Sequence, residues 1–178
     1  MKYLALILSM VTLLLLGFSS KEVSPVSNHL NKKNSSGNLF KSANNFHAHL
    51  DGKDQVPPAK TKAQGEALFN LSKDGDSIHY KITVANIENV TMSHIHEGAV
   101  GANGSVVVWL YPSAPPPKLI SGKSNGVLAE GTITSASLVG PLEGKSLTDL
   151  VNDIKSGKAY VNVHTSQYPG GEIRGQIK

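Results

Sequence analysis

Alternation of apolar and polar residues with a period of two is the feature that most constrains this chain, and it recurs from residue 46 almost to the end. In the segment 78–84, for example, every second residue is apolar. Successive side chains of a strand point to opposite faces, so this period is typical of β structure. Turn-forming pairs such as Asp74-Gly75 and Asn125-Gly126 separate the segments. We predict strands at 46–50, 67–71, 78–84, 92–97, 105–111, 127–134, 159–165 and 172–177.

These segments predict an all-β fold, an antiparallel Greek-key sandwich or barrel of about eight strands. One short helix is expected within it. Ser146 is a good N-cap, with Asp149 three residues later, and Gly157 suits the position just past the helix end. Apolar residues with helical spacing lie between them, at Leu147, Leu150, Val151 and Ile154.

Residues 1–20 have the pattern of an export signal. Lys2 precedes the stretch Tyr3 to Phe18, which is apolar except for Ser9 and Thr12. Its sixteen residues are few for a bilayer core of about 30 Å. The segment is predicted to be a signal peptide or, alternatively, an uncleaved N-terminal anchor. Both alternatives place the rest of the chain outside the cytoplasm, secreted or in the cell envelope, with membrane contact only through an uncleaved segment.

Residues 21–44 are rich in Lys, Asn and Ser and show no apolar period, so we predict a disordered linker ahead of a domain at 45–178. The formal net charge of +4 comes from the N-terminal part, because the chain from residue 45 onward holds twelve basic and twelve acidic residues. No basic patch with interleaved aromatic residues is visible in this domain. Nucleic acid is therefore not expected as a partner.

The chain has no cysteine. This excludes a disulfide scaffold, a thiolate metal site and a cysteine nucleophile, and no G-x-S-x-G motif suggests a serine nucleophile. Any metal site must therefore use imidazole and oxygen ligands.

The pair His94 and His96 is the strongest candidate for such a site. Residues i and i+2 of a strand share a face and lie about 6.6 Å apart, so both imidazoles can reach one metal ion at about 2 Å from each nitrogen. The alternative is that Ile95 enters the core and both histidines face solvent.

His164 is the candidate third ligand. Alternation places it on one face with Tyr160 and Asn162. If the last two strands pair with 164 opposite 172, Glu172 lies opposite His164 and Arg174 opposite Asn162. We therefore predict a copper or zinc site at His94, His96 and His164, with Glu172, Glu97 and Arg174 around it as orienting residues. The alternative is that the polar residues of these two strands form an exposed ladder of cross-strand pairs.

The remaining histidines of the predicted domain are expected to face solvent. His47 and His49 also form an H-x-H pair, but their neighbours Phe46, Ala48 and Leu50 occupy the predicted core face. His79 lies on the polar face of its strand.

Several motifs in order resemble the CHRD (chordin-repeat) domain over about 46–177. The first part of the resemblance is carried by Phe46, Ala48, Leu50 and Gly52, by Val56-Pro57-Pro58, and by Thr61, Ala63 and Gly65. The middle is carried by residues 94–98, Gly101, Asn103-Gly104, Val106-Val107-Val108 and Leu110, and the end by residues 160–165 and 169–177. The chain is identified as a microbial-type, single-domain exported member of this family. The resemblance implies an extracellular β domain, and in chordin such repeats belong to an extracellular antagonist of growth factors.

A second resemblance concerns only the three histidines. An H-x-H on a strand, followed much later by a strand histidine, is similar to the copper ligands of copper/zinc superoxide dismutases. The chain differs in having no disulfide pair and no zinc-loop cluster. Three functions stay open: metal binding through the three-histidine site, an extracellular binding or structural module without metal, and copper-dependent superoxide dismutation.

Overall fold

The computed structural model describes residues 44–178, so the predicted export signal and all but the last residue of the predicted linker lie outside the described residues. The described part contains seven strands and one α-helix. In chain order they are β1 Asn45–Asp51, β2 Gln64–Leu71, β3 Ile78–Glu97, β4 Ser105–Tyr111, β5 Ile120–Ile133, α1 Leu147–Lys155, β6 Ala159–Thr165 and β7 Ile173–Gln176.

Five strands close into an antiparallel barrel in the order β1, β2, β3, β6 and β7, with β7 pairing back to β1. Strands β4 and β5 lie outside this ring and both pair with β3. The predicted all-β antiparallel architecture is confirmed. The core is formed by the inward face of each strand, as in β1, where Phe46, Ala48 and Leu50 are buried.

Strand β3 is a single strand of 20 residues where the sequence predicts two, which is why the structure has seven strands rather than about eight. Its first half pairs with β2 and β5, and its second half pairs with β4 and β6. Asn86 and Asn89 join the two halves with positive φ angles of 56° and 53°. Asparagine tolerates this conformation better than most residues, so the strand bends at these positions and continues.

From this bend onwards the side-chain parity of β3 changes. Before it, the buried core residues have even numbers, as at Ile82 and Val84; after it, they are Ile87, Val90 and Ile95. The pairing with β5 shifts register between Val84 and Ile87 and again between Glu88 and Val90. A further register shift, in the pairing with β6, lies between Val90 and Met92, so His94 and His96, which flank the core residue Ile95, point out of the barrel.

The predicted helix is confirmed. Ser146 and Asp149 form a capping box, and Gly157 follows the helix with a φ of +70°. The apolar face of α1 is buried in the same core as the strands. None of the helices within residues 44–178 is long and apolar enough to cross a membrane.

Candidate metal centre

The candidate site lies on the outer surface of the barrel, where β3, β6 and β7 run side by side. All seven residues of β6 are buried. Val161 and Val163 belong to the core, whereas Tyr160, Asn162 and His164 alternate with them and face outward. Their burial requires a second layer, and loops supply it.

Three loops form this layer. The segment 52–63 contributes Gln55, whose Nε2 donates to Oδ1 of Asn162 at 2.7 Å. The segment 98–104, between β3 and β4, is held by Arg174 of β7. The segment 166–171 contributes the carbonyl of Pro169, which contacts His164. Together they make a polar layer that excludes water from the outer face of the barrel.

The structure brings His94, His96 and His164 together in this layer. One ligand nitrogen from each lies within 4.8 Å of the other two, and Nδ1 of His94 is 3.2 Å from Nε2 of His164. Two nitrogens bound to one metal at about 2.0–2.1 Å with a tetrahedral angle are about 3.3 Å apart. The spacing therefore fits a shared metal ion with little rearrangement.

Backbone carbonyls orient two of the three imidazoles. Nδ1–H of His96 donates to the carbonyl of Gly104 at 3.0 Å, and Nδ1–H of His164 donates to the carbonyl of Pro169 at 2.9 Å. Because a neutral imidazole carries one proton, each of these rings holds a lone pair on Nε2. A carbonyl that fixes the tautomer in this way is the usual partner of a metal-ligating histidine.

Two of the imidazole nitrogens are buried without a hydrogen-bond partner. Nε2 of His94 and Nε2 of His96 have no donor or acceptor within reach. Most buried polar atoms in proteins do have such a partner, so these two require an explanation. A metal ion would accept the lone pair of the His96 nitrogen, which makes the donor set chemically consistent with metal binding.

Burial keeps the three imidazoles neutral. Burial, aided by the two neighbouring histidines, lowers the pKa of His94 to about 3. Burial, with His164 and Arg174 acting in the same direction and the Gly104 carbonyl in the opposite one, lowers the pKa of His96 to about 4. Burial also lowers the pKa of His164, although the Pro169 carbonyl acts in the opposite direction. Neutral imidazole is the form that binds a metal, so the cluster is in its ligating state at neutral pH.

Aromatic rings and one guanidinium surround the cluster. The indole of Trp109 meets the His94 ring edge-on, with centroids 4.3 Å apart. The Tyr160 ring stacks on His96 at 4.9 Å with an interplanar angle of 7°, and the Arg174 guanidinium lies 3.5 Å from the centre of the Tyr160 ring. Trp109 thus packs against the His94 ring, and Tyr160 packs against the His96 ring.

Arg174 also holds the loop that carries Gly104. Its Nη2 donates to the carbonyls of Ala99 and Ala102, and its Nη1 donates to Oδ1 of Asn103. The predicted pairing of the last two strands is confirmed, with Arg174 opposite Asn162. Arg174 therefore acts on the cluster through the 98–104 loop and through Tyr160.

The two candidate orienting carboxylates lie apart from the imidazole hydrogen bonds. Glu172 is buried, and its carboxylate accepts from Oγ1 of Thr61 at 2.5 Å and from Oγ1 of Thr165 at 2.8 Å. Glu97 is the last residue of β3 and is partly exposed. Within residues 44–178, the hydrogen bonds from the imidazoles to other groups end on carbonyls of Gly104 and Pro169.

The solvent-facing alternative for the pair is wrong, since His94 is 2% and His96 is 8% exposed. The exposed polar ladder is also wrong, because Asn162, His164 and Arg174 are all buried. The physical reason is the loop layer, which alternation within the strands does not predict.

The expectation of solvent exposure is confirmed for His49 and His79, whereas His47 is half-buried. His49 is exposed and contacts Glu66, with Nδ1 to Oε1 at 2.5 Å. His79 is exposed and lies 3.0 Å from Oγ1 of Thr132. His47 alternates with the buried residues Phe46 and Ala48.

Sequence reasoning missed Trp109 and the carbonyls of Gly104 and Pro169. Trp109 lies in a continuous apolar run, and such a run does not indicate which face of the sheet each residue occupies. Only its pairing with His94 places Trp109 at the site. Backbone carbonyls carry no residue signature. The turn residues beside them, Asn103-Gly104 and Pro169-Gly170, were the only available signal.

Comparison with known proteins gives one match. No curated protein and no solved structure matches the chain. The family model of the CHRD domain matches residues 46–177, which covers nearly the whole described part and agrees with the motifs read from the sequence. The protein therefore belongs to the CHRD domain family.

Proposed function

We propose that this CHRD domain protein is exported and binds one copper or zinc ion through His94, His96 and His164. One observation carries the proposal: three buried imidazoles converge with their ligand nitrogens within 4.8 Å, and two of them have a nitrogen without a partner. A structural role in hydrogen bonding would leave these nitrogens satisfied.

The donor chemistry supports copper or zinc over magnesium or calcium. Imidazole is a ligand for zinc, copper, iron and nickel, whereas magnesium and calcium prefer oxygen ligands. The domain has no thiolate, and the two nearest candidate carboxylates are engaged elsewhere or partly exposed. When bound, the ion would supply Lewis acidity or, for copper, redox chemistry.

Export is supported by the N-terminal sequence and by the family. A basic residue, an apolar stretch and small residues follow one another in the order of a signal peptide. The CHRD domain is an extracellular type of domain. A domain without disulfides outside the cell relies on its core, and a bound metal ion would add stability.

The test is calorimetric titration of the metal-free protein with Cu²⁺ and with Zn²⁺. We expect one ion per chain, and we expect His96→Gln and His164→Gln to weaken binding by roughly 10- to 100-fold. The matched control is the double variant His47→Gln/His49→Gln, which removes an H-x-H pair from the face of β1 opposite to its buried core residues. That control should bind like the parent.

Two results would contradict the proposal. One is unchanged metal affinity in the His96 and His164 variants. The other is a parent protein that binds neither ion and whose thermal stability is unaffected by chelator, which would instead support a binding or structural module without metal.

A further inference from the structure

The charges around the three histidines distinguish between metal ions of different charge. Within residues 44–178, no hydrogen bond or ion pair joins a carboxylate to any of the three imidazoles. The carboxylate of Glu172, which the sequence predicts as an orienting group, is held by the hydroxyls of Thr61 and Thr165. The ligand set is therefore neutral.

The nearest formal charge is positive. Arg174 is 2% exposed and stacks on Tyr160, which in turn stacks on His96. Its three hydrogen bonds go to two carbonyls and one carboxamide, and the carboxylate of Asp54 acts on it from beyond hydrogen-bonding distance. A cation bound at the histidines is thus repelled by this guanidinium.

From this arrangement we infer that the site takes copper as the cuprous ion, Cu⁺, in preference to Zn²⁺. The inference rests on the proposed function, which it narrows to one ion. Burial of a bare ion costs free energy in proportion to the square of its charge, so a dication costs about four times as much as a monocation. Neither a carboxylate nor a thiolate offsets that cost here.

The number of ligands and their burial also favour Cu⁺. Zn²⁺ takes four ligands in proteins, the fourth being a side chain or a water molecule. The cluster supplies three imidazoles, and rings of Trp109 and Tyr160 pack against two of them. Nε2 of His94 and Nε2 of His96 are buried away from solvent. A filled-shell monocation such as Cu⁺ accepts two or three nitrogen ligands without water.

The experiment compares the affinities of the two ions in the full protein. Cu⁺ is titrated without oxygen in competition with the chelator bicinchoninate, and Zn²⁺ is titrated in competition with a zinc-binding dye. We expect Cu⁺ to bind at least roughly 100-fold more tightly than Zn²⁺. Zn²⁺ affinity equal to or above that of Cu⁺ overturns the inference and leaves the proposed function standing. Failure of both ions to bind overturns both.

A charge-changing variant tests the physical reason. Asn162 pairs with His94 across β3 and β6, and its Oδ1 accepts a hydrogen bond that an aspartate would also accept. Asn162→Asp should raise Zn²⁺ affinity roughly tenfold relative to that of Cu⁺. The matched control is Asn70→Asp, the same change on the exposed face of β2.

An unchanged Cu⁺ to Zn²⁺ ratio in a folded Asn162→Asp protein overturns the electrostatic argument. Circular dichroism checks folding. If the variant does not fold, the ratio of Cu⁺ to Zn²⁺ affinity measured on the parent protein is the test of the inference.

Discussion

Acidification of the metal-free protein from pH 7 to pH 5 should destabilise it through the buried histidines. The folded protein holds the pKa of His94 at about 3 and that of His96 at about 4, compared with 6.5 for an unperturbed histidine. Below pH 6.5 the unfolded chain therefore binds more protons than the folded one. Stability is fully present above pH 6.5 and falls as the pH decreases towards 4 and 3.

The magnitude follows from these values. At pH 5 an unfolded histidine is almost fully protonated while His94 and His96 remain neutral, which costs about 2 kcal/mol for each. The two together give about 4 kcal/mol, and His164, whose pKa is also lowered, adds to this loss. Domains of this kind have only about 5–15 kcal/mol of unfolding free energy, so the loss is a large fraction of the total.

The assay is urea unfolding with chelator present at pH 7, 6 and 5, followed by the fluorescence of Trp109, the single tryptophan of the chain. Carboxylates with lowered pKa values, at Asp51, Asp74 and Asp149, lose their contribution below about 3.8, outside this window. In His96→Gln the decrease between pH 7 and pH 5 should shrink by about 2 kcal/mol.

An unfolding free energy that is equal at pH 7 and pH 5 would refute the reasoning. So would a pH dependence in His96→Gln that matches the parent. Either result would mean that these imidazoles are hydrated in the folded protein.

Two further substitutions separate the site from the scaffold. Gly104→Ala should weaken metal binding and lower the melting temperature, because a Cβ there collides with the Glu97 backbone and moves the carbonyl that orients His96. Calorimetry measures the metal affinity and thermal unfolding measures the melting temperature. Parent-like values for both would contradict the prediction. Ser146→Ala should cost about 1 kcal/mol of stability through loss of the helix cap while metal affinity stays at the parent value, as measured by urea unfolding and titration.

Local patterns predicted most of the elements because their causes are local. Alternation predicted the strands, and the capping box with Gly157 predicted the helix. The pairing of β6 with β7 was also predictable, since the turn at 169–171 fixes which residues lie opposite each other. By contrast, the continuity of β3 depends on Asn86 and Asn89 bending the strand, and polar residues at such positions ordinarily indicate a turn.

The orientation of His94 and His96 could not be predicted from local sequence patterns. Their spacing predicts that they share a face, but alternation continued from Ile82 and Val84 would turn both into the core. Two register shifts in the pairing with β5 between Val84 and Val90, and one in the pairing with β6 between Val90 and Met92, together reverse the parity at Ile95 and direct both histidines outward. These irregularities within the strand thus decide the side of the sheet on which the candidate ligands lie.

By itself, the sequence determined the all-β class, the short helix, the family and the residue types available for a metal site, because these depend on composition and on spacing within single segments. The tertiary structure alone decided that the three histidines converge, that loops bury them, and that carbonyls of Gly104 and Pro169 fix their tautomers. The contact between His94 of β3 and His164 of β6 joins residues that are 70 positions apart in the chain. Contacts of that range depend on strand register and loop packing, which no local pattern encodes.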